Sequence, residues 1–211
     1  MQEHRITVSR IARYFTLGRP DREVWFVLHG YGQLAARFLR HFAPIDDGTR
    51  LIVAPEGLSR FYLTEAPAER RVGASWMTKE DRLAEIDDYV RYLDAVYDEV
   101  ARTMDRDQVK VTLLGFSQGS ATACRWSTMG KTRFDRLIVW GGEVPPDVEL
   151  PPAVRLSLVY GSRDEYFTSK VITATEARLR AHAVPYRLLP FDGGHEIDAE
   201  VLKRVALTAD S

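Results

Sequence analysis

Residues 109–123 read VKVTLLGFSQGSATA: a short greasy run, then Ser117 with a glycine two residues to either side, then a string of small residues. A near-continuous run of aliphatic and β-branched residues ending in glycine is how a strand buried on both faces of a parallel sheet looks. The small residues after Gly119 suit a helix packed close on such a sheet. A nucleophilic serine projecting from a strained strand-to-helix turn needs almost no side chain two positions before and after it, which Gly115 and Gly119 supply. The helix opening at Gln118 would then aim its first N–H groups, and its positive dipole end, at charge developing beside Ser117. The competing reading is an exposed serine in an ordinary tight turn. The rest of the chain decides between them.

Six further runs share the character of 109–115: RYFTLG (13–18), EVWFVLHG (23–30), RLIVAPEG (50–57), RLIVWGG (136–142), VRLSLVYG (154–161) and PYRLLPFDGG (185–194). Between them lie helical patterns at 33–42, 78–104, 118–127, 168–182 and 196–207. In the longest, Leu83, Ile86, Val90, Leu93, Val96, Tyr97 and Val100 share one face, and Thr78 with Asp81 gives a start resembling a capping box. Strands alternating with helices predict one α/β domain over 1–211, with right-handed crossovers and a mostly parallel sheet covered by helices on both faces. In such sheets chemistry belongs at the carboxyl ends of the strands.

Composition narrows the function classes. The 211 residues are 45% hydrophobic, and 29 basic against 30 acidic side chains leave a net charge of −1, well mixed along the chain. That balance carries no footprint for nucleic acid. No run approaches the roughly 18 apolar residues of a spanning helix, so stable membrane insertion is not expected. The single cysteine, Cys124, precludes an internal disulfide and a cysteine-based zinc site, and it lies inside a helical pattern rather than at a turn. With a charged start lacking a signal-like apolar stretch, a cytoplasmic setting is the expectation.

A serine hydroxyl needs a base that titrates near neutrality. Of the five histidines, His4 lies near the start, and His41 and His182 sit in helical patterns. His29 ends a strand and reads as a residue that shapes a loop. His195, in FDGGHEID, follows two glycines after the last strand and is the candidate base. The base needs a carboxylate to fix its tautomer. Asp164 leaves a strand end in a G-x-x-D turn; Glu165 and Asp192 are rivals, Asp192 lying only three residues from His195. The second oxyanion donor falls in LHGYGQ (28–33), where the glycines let the Tyr31 N–H pair with that of Gln118.

Taken together, LHGYG, GFSQG, GSRDEYF and GGHEI, in that order, resemble the phospholipase/carboxylesterase family of serine α/β-hydrolases, which includes acyl-protein thioesterase-like enzymes. The resemblance runs from about Ala12 to Lys203, and GASWMT (73–78) is similar too. It implies an α/β-hydrolase fold without a helical cap domain and with no metal or other cofactor. It implies Ser117 as nucleophile, His195 as base and Asp164 as its partner, with Tyr31 and Gln118 as oxyanion donors. The expected activity is hydrolysis of short- to medium-chain carboxylic esters through an acyl-enzyme, by a monomer or homodimer. A thioesterase or lysophospholipase acting on an acyl thioester or ester is the enzyme alternative, and a non-catalytic binder of a small ligand is the alternative of another class. Two regions depart from the family pattern. Glu165, Tyr166 and Phe167 stand where proline and valine often follow the aspartate. The stretch 55–77 reads as one long loop, whose Phe61, Tyr62, Trp76 and Met77 could wall a substrate pocket or pin the loop to the core; its Arg60, Arg70 and Arg71 could meet an anionic substrate group, but read rather as a solvated face.

Overall fold

A computed structural model describes residues 1–64, 70–150 and 154–207. Seven strands form the central sheet: β1 (Tyr14–Gly18), β2 (Glu23–Leu28), β3 (Arg50–Pro55), β6 (Lys110–Phe116), β7 (Arg136–Trp140), β8 (Arg155–Gly161) and β9 (Tyr186–Phe191). Their spatial order is β1-β3-β2-β6-β7-β8-β9, and every pairing is parallel except β1 with β3. All seven greasy runs of the sequence are strands of this sheet. In β2, β3, β6 and β7 nearly every residue is buried, as strands covered on both sides require.

The two faces of each strand feed separate cores. Val24, Phe26 and Leu28 of β2 face helices α2 (Arg82–Ala101), α3 (Gln118–Met129) and α4 (Ser169–Ala181), packing with Leu93, Trp126 and Leu179. Trp25 and Val27 face the other way. They meet Phe38 of the short α1 (Ala35–Phe38), Phe42 of the 3-10 helix that continues it (Leu39–Ile45), and Val201 and Leu202 of α5 (Ala199–Leu207). Among the described residues no helix is long and apolar enough to cross a membrane.

Three expectations need correction. Helix α2 begins at Arg82, after Asp81 in the left-handed region (φ 46°) with no side-chain cap; Thr78 instead directs its N–H and hydroxyl to the Glu85 carboxylate. Leu83, in the first turn of that helix, is exposed rather than on its buried face. The stretch 55–77 is not one long loop. It contains a hairpin, β4 (Ser59–Tyr62) antiparallel to β5 (Val72–Ser75), whose four-residue strands are too short to show a period; residues 65–69 lie outside the described residues.

Candidate active site

Ser117 follows directly on β6 and precedes α3, with φ 54° and ψ −120°, a backbone conformation unfavourable for any residue with a β-carbon. The close fit around it explains both glycines. A β-carbon on Gly115 would lie 2.2 Å from the Gly119 carbonyl oxygen, and one on Gly119 would lie 2.2 Å from that of Leu28. The serine is therefore held out at the carboxyl edge of the sheet by backbone packed on backbone.

Three other parallel strands deliver their candidates to the same edge. Asp164 lies three residues past β8 and is buried (6% exposed), with its N–H donating to the Gly161 carbonyl at 3.1 Å. Its Oδ2 stands 2.8 Å from His195 Nδ1, in the loop after β9, and its Oδ1 accepts the N–H groups of Tyr166 and Phe167, both at 2.9 Å. The carboxylate is thus anchored by one oxygen and orients the imidazole with the other. Asp192, the rival, pairs with Arg163 instead.

The His195 ring packs against Phe116, the residue before Ser117, with centroids 4.8 Å apart. Between the two candidates runs the turn after β7. A β-carbon on Gly141 (φ 51°) would sit 3.2 Å from His195 Nδ1, and one on Gly142 would sit 2.8 Å from the Ser117 carbonyl oxygen. The Ser117 hydroxyl makes no direct hydrogen bond among the described residues.

On the other flank lies the turn Gly30–Gln33, closed by the Gln33 N–H to the Gly30 carbonyl at 3.2 Å. A β-carbon on Gly30 would lie 3.1 Å from Ser117 Cβ, so this turn abuts the serine. Strand β5 is stitched to it: the Gly32 N–H donates to the Ala74 carbonyl at 2.9 Å, and the Ala74 N–H to the Gln33 carbonyl at 3.1 Å. The two residues after the strand grip the Gln118 side chain, whose Nε2 donates to the Met77 carbonyl at 2.8 Å while its Oε1 accepts the Trp76 N–H at 3.1 Å. One short hairpin strand and its exit therefore hold both the turn that carries Tyr31 and Gln118, the candidate oxyanion residues. The motif GASWMT carries this clamp, a role its residue types do not announce.

His29 is fully buried. Its Nε2 accepts the Gly57 N–H at 2.9 Å, which leaves the proton on Nδ1 to donate to the Gly30 carbonyl at 2.8 Å. Burial lowers its pKa below the usual 6.5. Both ring nitrogens are engaged, and the ring braces the turn.

The four aromatic and thioether candidates from 55–77 separate. Trp76 is corrected as a pocket wall: it is buried, stacks near His29 (4.9 Å) and donates its indole N–H to the His29 carbonyl at 2.8 Å. Met77 packs against the core beside Arg125. Phe61 lies at the site, its ring 5.1 Å from that of Tyr31. Tyr62 is exposed beneath the Arg70 guanidinium (5.0 Å), Arg60 reaches the buried Glu56 at 3.5 Å, and Arg71 is exposed. Tyr166 and Phe167, unassigned by the sequence, both border the His195 ring. Cys124 is buried in α3, and burial pushes its thiol up to about 12, the opposite of a reactive thiolate. A cleft of about 710 Å³, bordered by Arg106, Lys110 and Arg136, opens at the amino ends of β6 and β7, remote from Ser117.

Sheet order, elbow and loop positions are those of the α/β-hydrolase fold, and comparison with solved structures agrees. The chain is similar to an acyl-protein thioesterase 2 from Zea mays, at 17% identity over 94% of this chain and 99% of that one, with a TM-score of 0.72. It is also similar to a carboxylesterase from Mesorhizobium loti (19% identity, 93% and 95% covered, TM-score 0.71) and to one from Bacillus cereus (16%, 93% and 93%, 0.67). At such identities the likeness establishes the fold. No protein-family model matches the sequence, and comparison with curated proteins finds no match.

Proposed function

We propose that the protein is a serine carboxylesterase acting on short- to medium-chain esters through a covalent acyl-enzyme. The observation that carries this reading is Ser117 held in a strained turn at the same sheet edge as an imidazole oriented by a buried, anchored carboxylate. His195 Nδ1–H donates to Asp164, which leaves Nε2 free to accept the Ser117 proton. The Ser117 Oγ attacks the acyl carbon, and the Tyr31 and Gln118 N–H groups stabilise the oxyanion. His195 then passes its proton to the departing alkoxide as the ester C–O bond breaks. A water, deprotonated by the same imidazole, attacks the acyl-serine and releases the acid.

The test is hydrolysis of 4-nitrophenyl acetate and butyrate by the natural protein and by Ser117→Ala. Turnover that disappears in the variant supports the reading; undiminished turnover rejects it. A thioesterase reading is favoured by the likeness to the maize acyl-protein thioesterase, and a panel of matched esters and thioesters across chain lengths separates the two.

A further inference from the structure

We propose that Tyr166 and Phe167 form a subsite for a neutral aromatic leaving group, so that esters of arylmethyl alcohols are preferred substrates; this rests on the esterase reading above. Where the leaving group stands follows from the proton it must receive. The imidazole that hands it a proton lies within hydrogen-bond reach of its oxygen, so side chains on the open flank of His195 meet whatever that oxygen carries.

Two aromatic rings occupy this flank. The Tyr166 ring lies 4.9 Å from the His195 ring at 55°, and the Phe167 ring lies 6.0 Å away, nearly parallel at 12°. Phe116 already packs on the imidazole at 4.8 Å, so shielding His195 does not by itself require two more aromatics. Tyr166 is 72% exposed and leaves most of its surface open beside the reacting centre. Its neighbours in the segment, Ser162, Arg163, Glu165, Thr168 and Ser169, are polar and exposed. The backbone that carries the rings is held in place, since Asp164 Oδ1 accepts the backbone N–H of both residues at 2.9 Å. One carboxylate thus fixes the proposed base and the backbone of the aromatic flank together, so little backbone freedom is lost when a ring docks there.

Aromatic rings gain from offset or edge-to-face contact beyond the area they bury. In the step concerned, the Ser117 Oγ–acyl carbon bond forms and the acyl C–O bond breaks. The proton taken from Ser117 goes to the leaving oxygen, and an arylmethanol departs over Tyr166.

Benzyl acetate and cyclohexylmethyl acetate share an acyl group, and both release a primary alcohol. The benzyl ester has the slightly better leaving group, so the change in their kcat/KM ratio when Tyr166 is replaced is what isolates the ring contact. The natural protein is expected to favour the benzyl ester roughly 2- to 10-fold, Tyr166→Leu to bring the ratio to about one, and Tyr166→Phe to keep the preference. A ratio of one or below in the natural protein overturns the proposal. So does an equal loss on both esters in Tyr166→Leu, which would make Tyr166 a support for His195 only. If neither ester is hydrolysed, or if Ser117→Ala hydrolyses both undiminished, the esterase reading itself fails.

Discussion

At the scale of the residue, the strain at Ser117 is the quantity to measure. A β-carbon at φ 54° costs of order 1–3 kcal/mol, and glycine escapes most of that cost. Ser117→Gly is therefore expected to be more stable than Ser117→Ala by about 1 kcal/mol after glycine's own entropy is counted, read as a higher denaturant midpoint, while neither hydrolyses ester. Equal midpoints would show the turn to be relaxed. Asp164 makes a second prediction. Asp164→Asn keeps the shape of the side chain but removes the charge that faces the His195 Nδ1–H, and kcat should fall by roughly 10³–10⁴. A loss of less than tenfold, measured on the same nitrophenyl ester, would make Asp164 a purely structural anchor for its turn.

Among the elements, the β4–β5 hairpin controls the oxyanion side. A β-carbon on Gly73 would lie 2.4 Å from the Gly32 carbonyl oxygen, so Gly73→Ala must force β5 and the Tyr31 turn apart. If one oxyanion donor is lost in this way, kcat should drop roughly 10²–10³-fold, with Ser117 and His195 untouched; unchanged kcat in the folded variant would remove Tyr31 from the mechanism. This hairpin is also where the sequence was least informative. Runs such as EVWFVL and RLIVW are buried on both faces, so their composition alone betrays a strand, and the glycines around Ser117 answer to a backbone clash that any sequence reader can anticipate. SRFY and VGAS are four residues each, the first alternating between half-buried and exposed, the second mostly buried, and they pair with each other and with a turn. Their role depends on Gln118 and Gly32, which are distant in order, and no local period encodes that. Likewise Trp76 offered an aromatic that could line a pocket or fill the core. Its indole N–H bond to the His29 carbonyl, a tertiary contact, put it in the core.

Across the whole molecule, the carboxyl ends of β2, β6, β8 and β9 bring Tyr31, Ser117, Asp164 and His195 to one edge, and His29 braces that edge from below. Because burial depresses its pKa, His29 stays neutral in the fold while the unfolded chain takes up a proton near 6.5. Its contribution to stability is present in full above that value and is lost as the pH falls from there through the depressed folded-state value. Replacing it with glutamine should flatten the fall in unfolding free energy between pH 7.5 and 5.5 relative to the natural protein; parallel curves in urea would contradict the brace. Activation of Ser117 by His195 is the step on which the proposed chemistry depends. Labelling with a fluorophosphonate, followed by peptide mass mapping, tests it most directly. A single adduct on Ser117, absent in Ser117→Ala and much slower to form in His195→Ala, is the expected result. No adduct, or one that forms equally fast without His195, would contradict it.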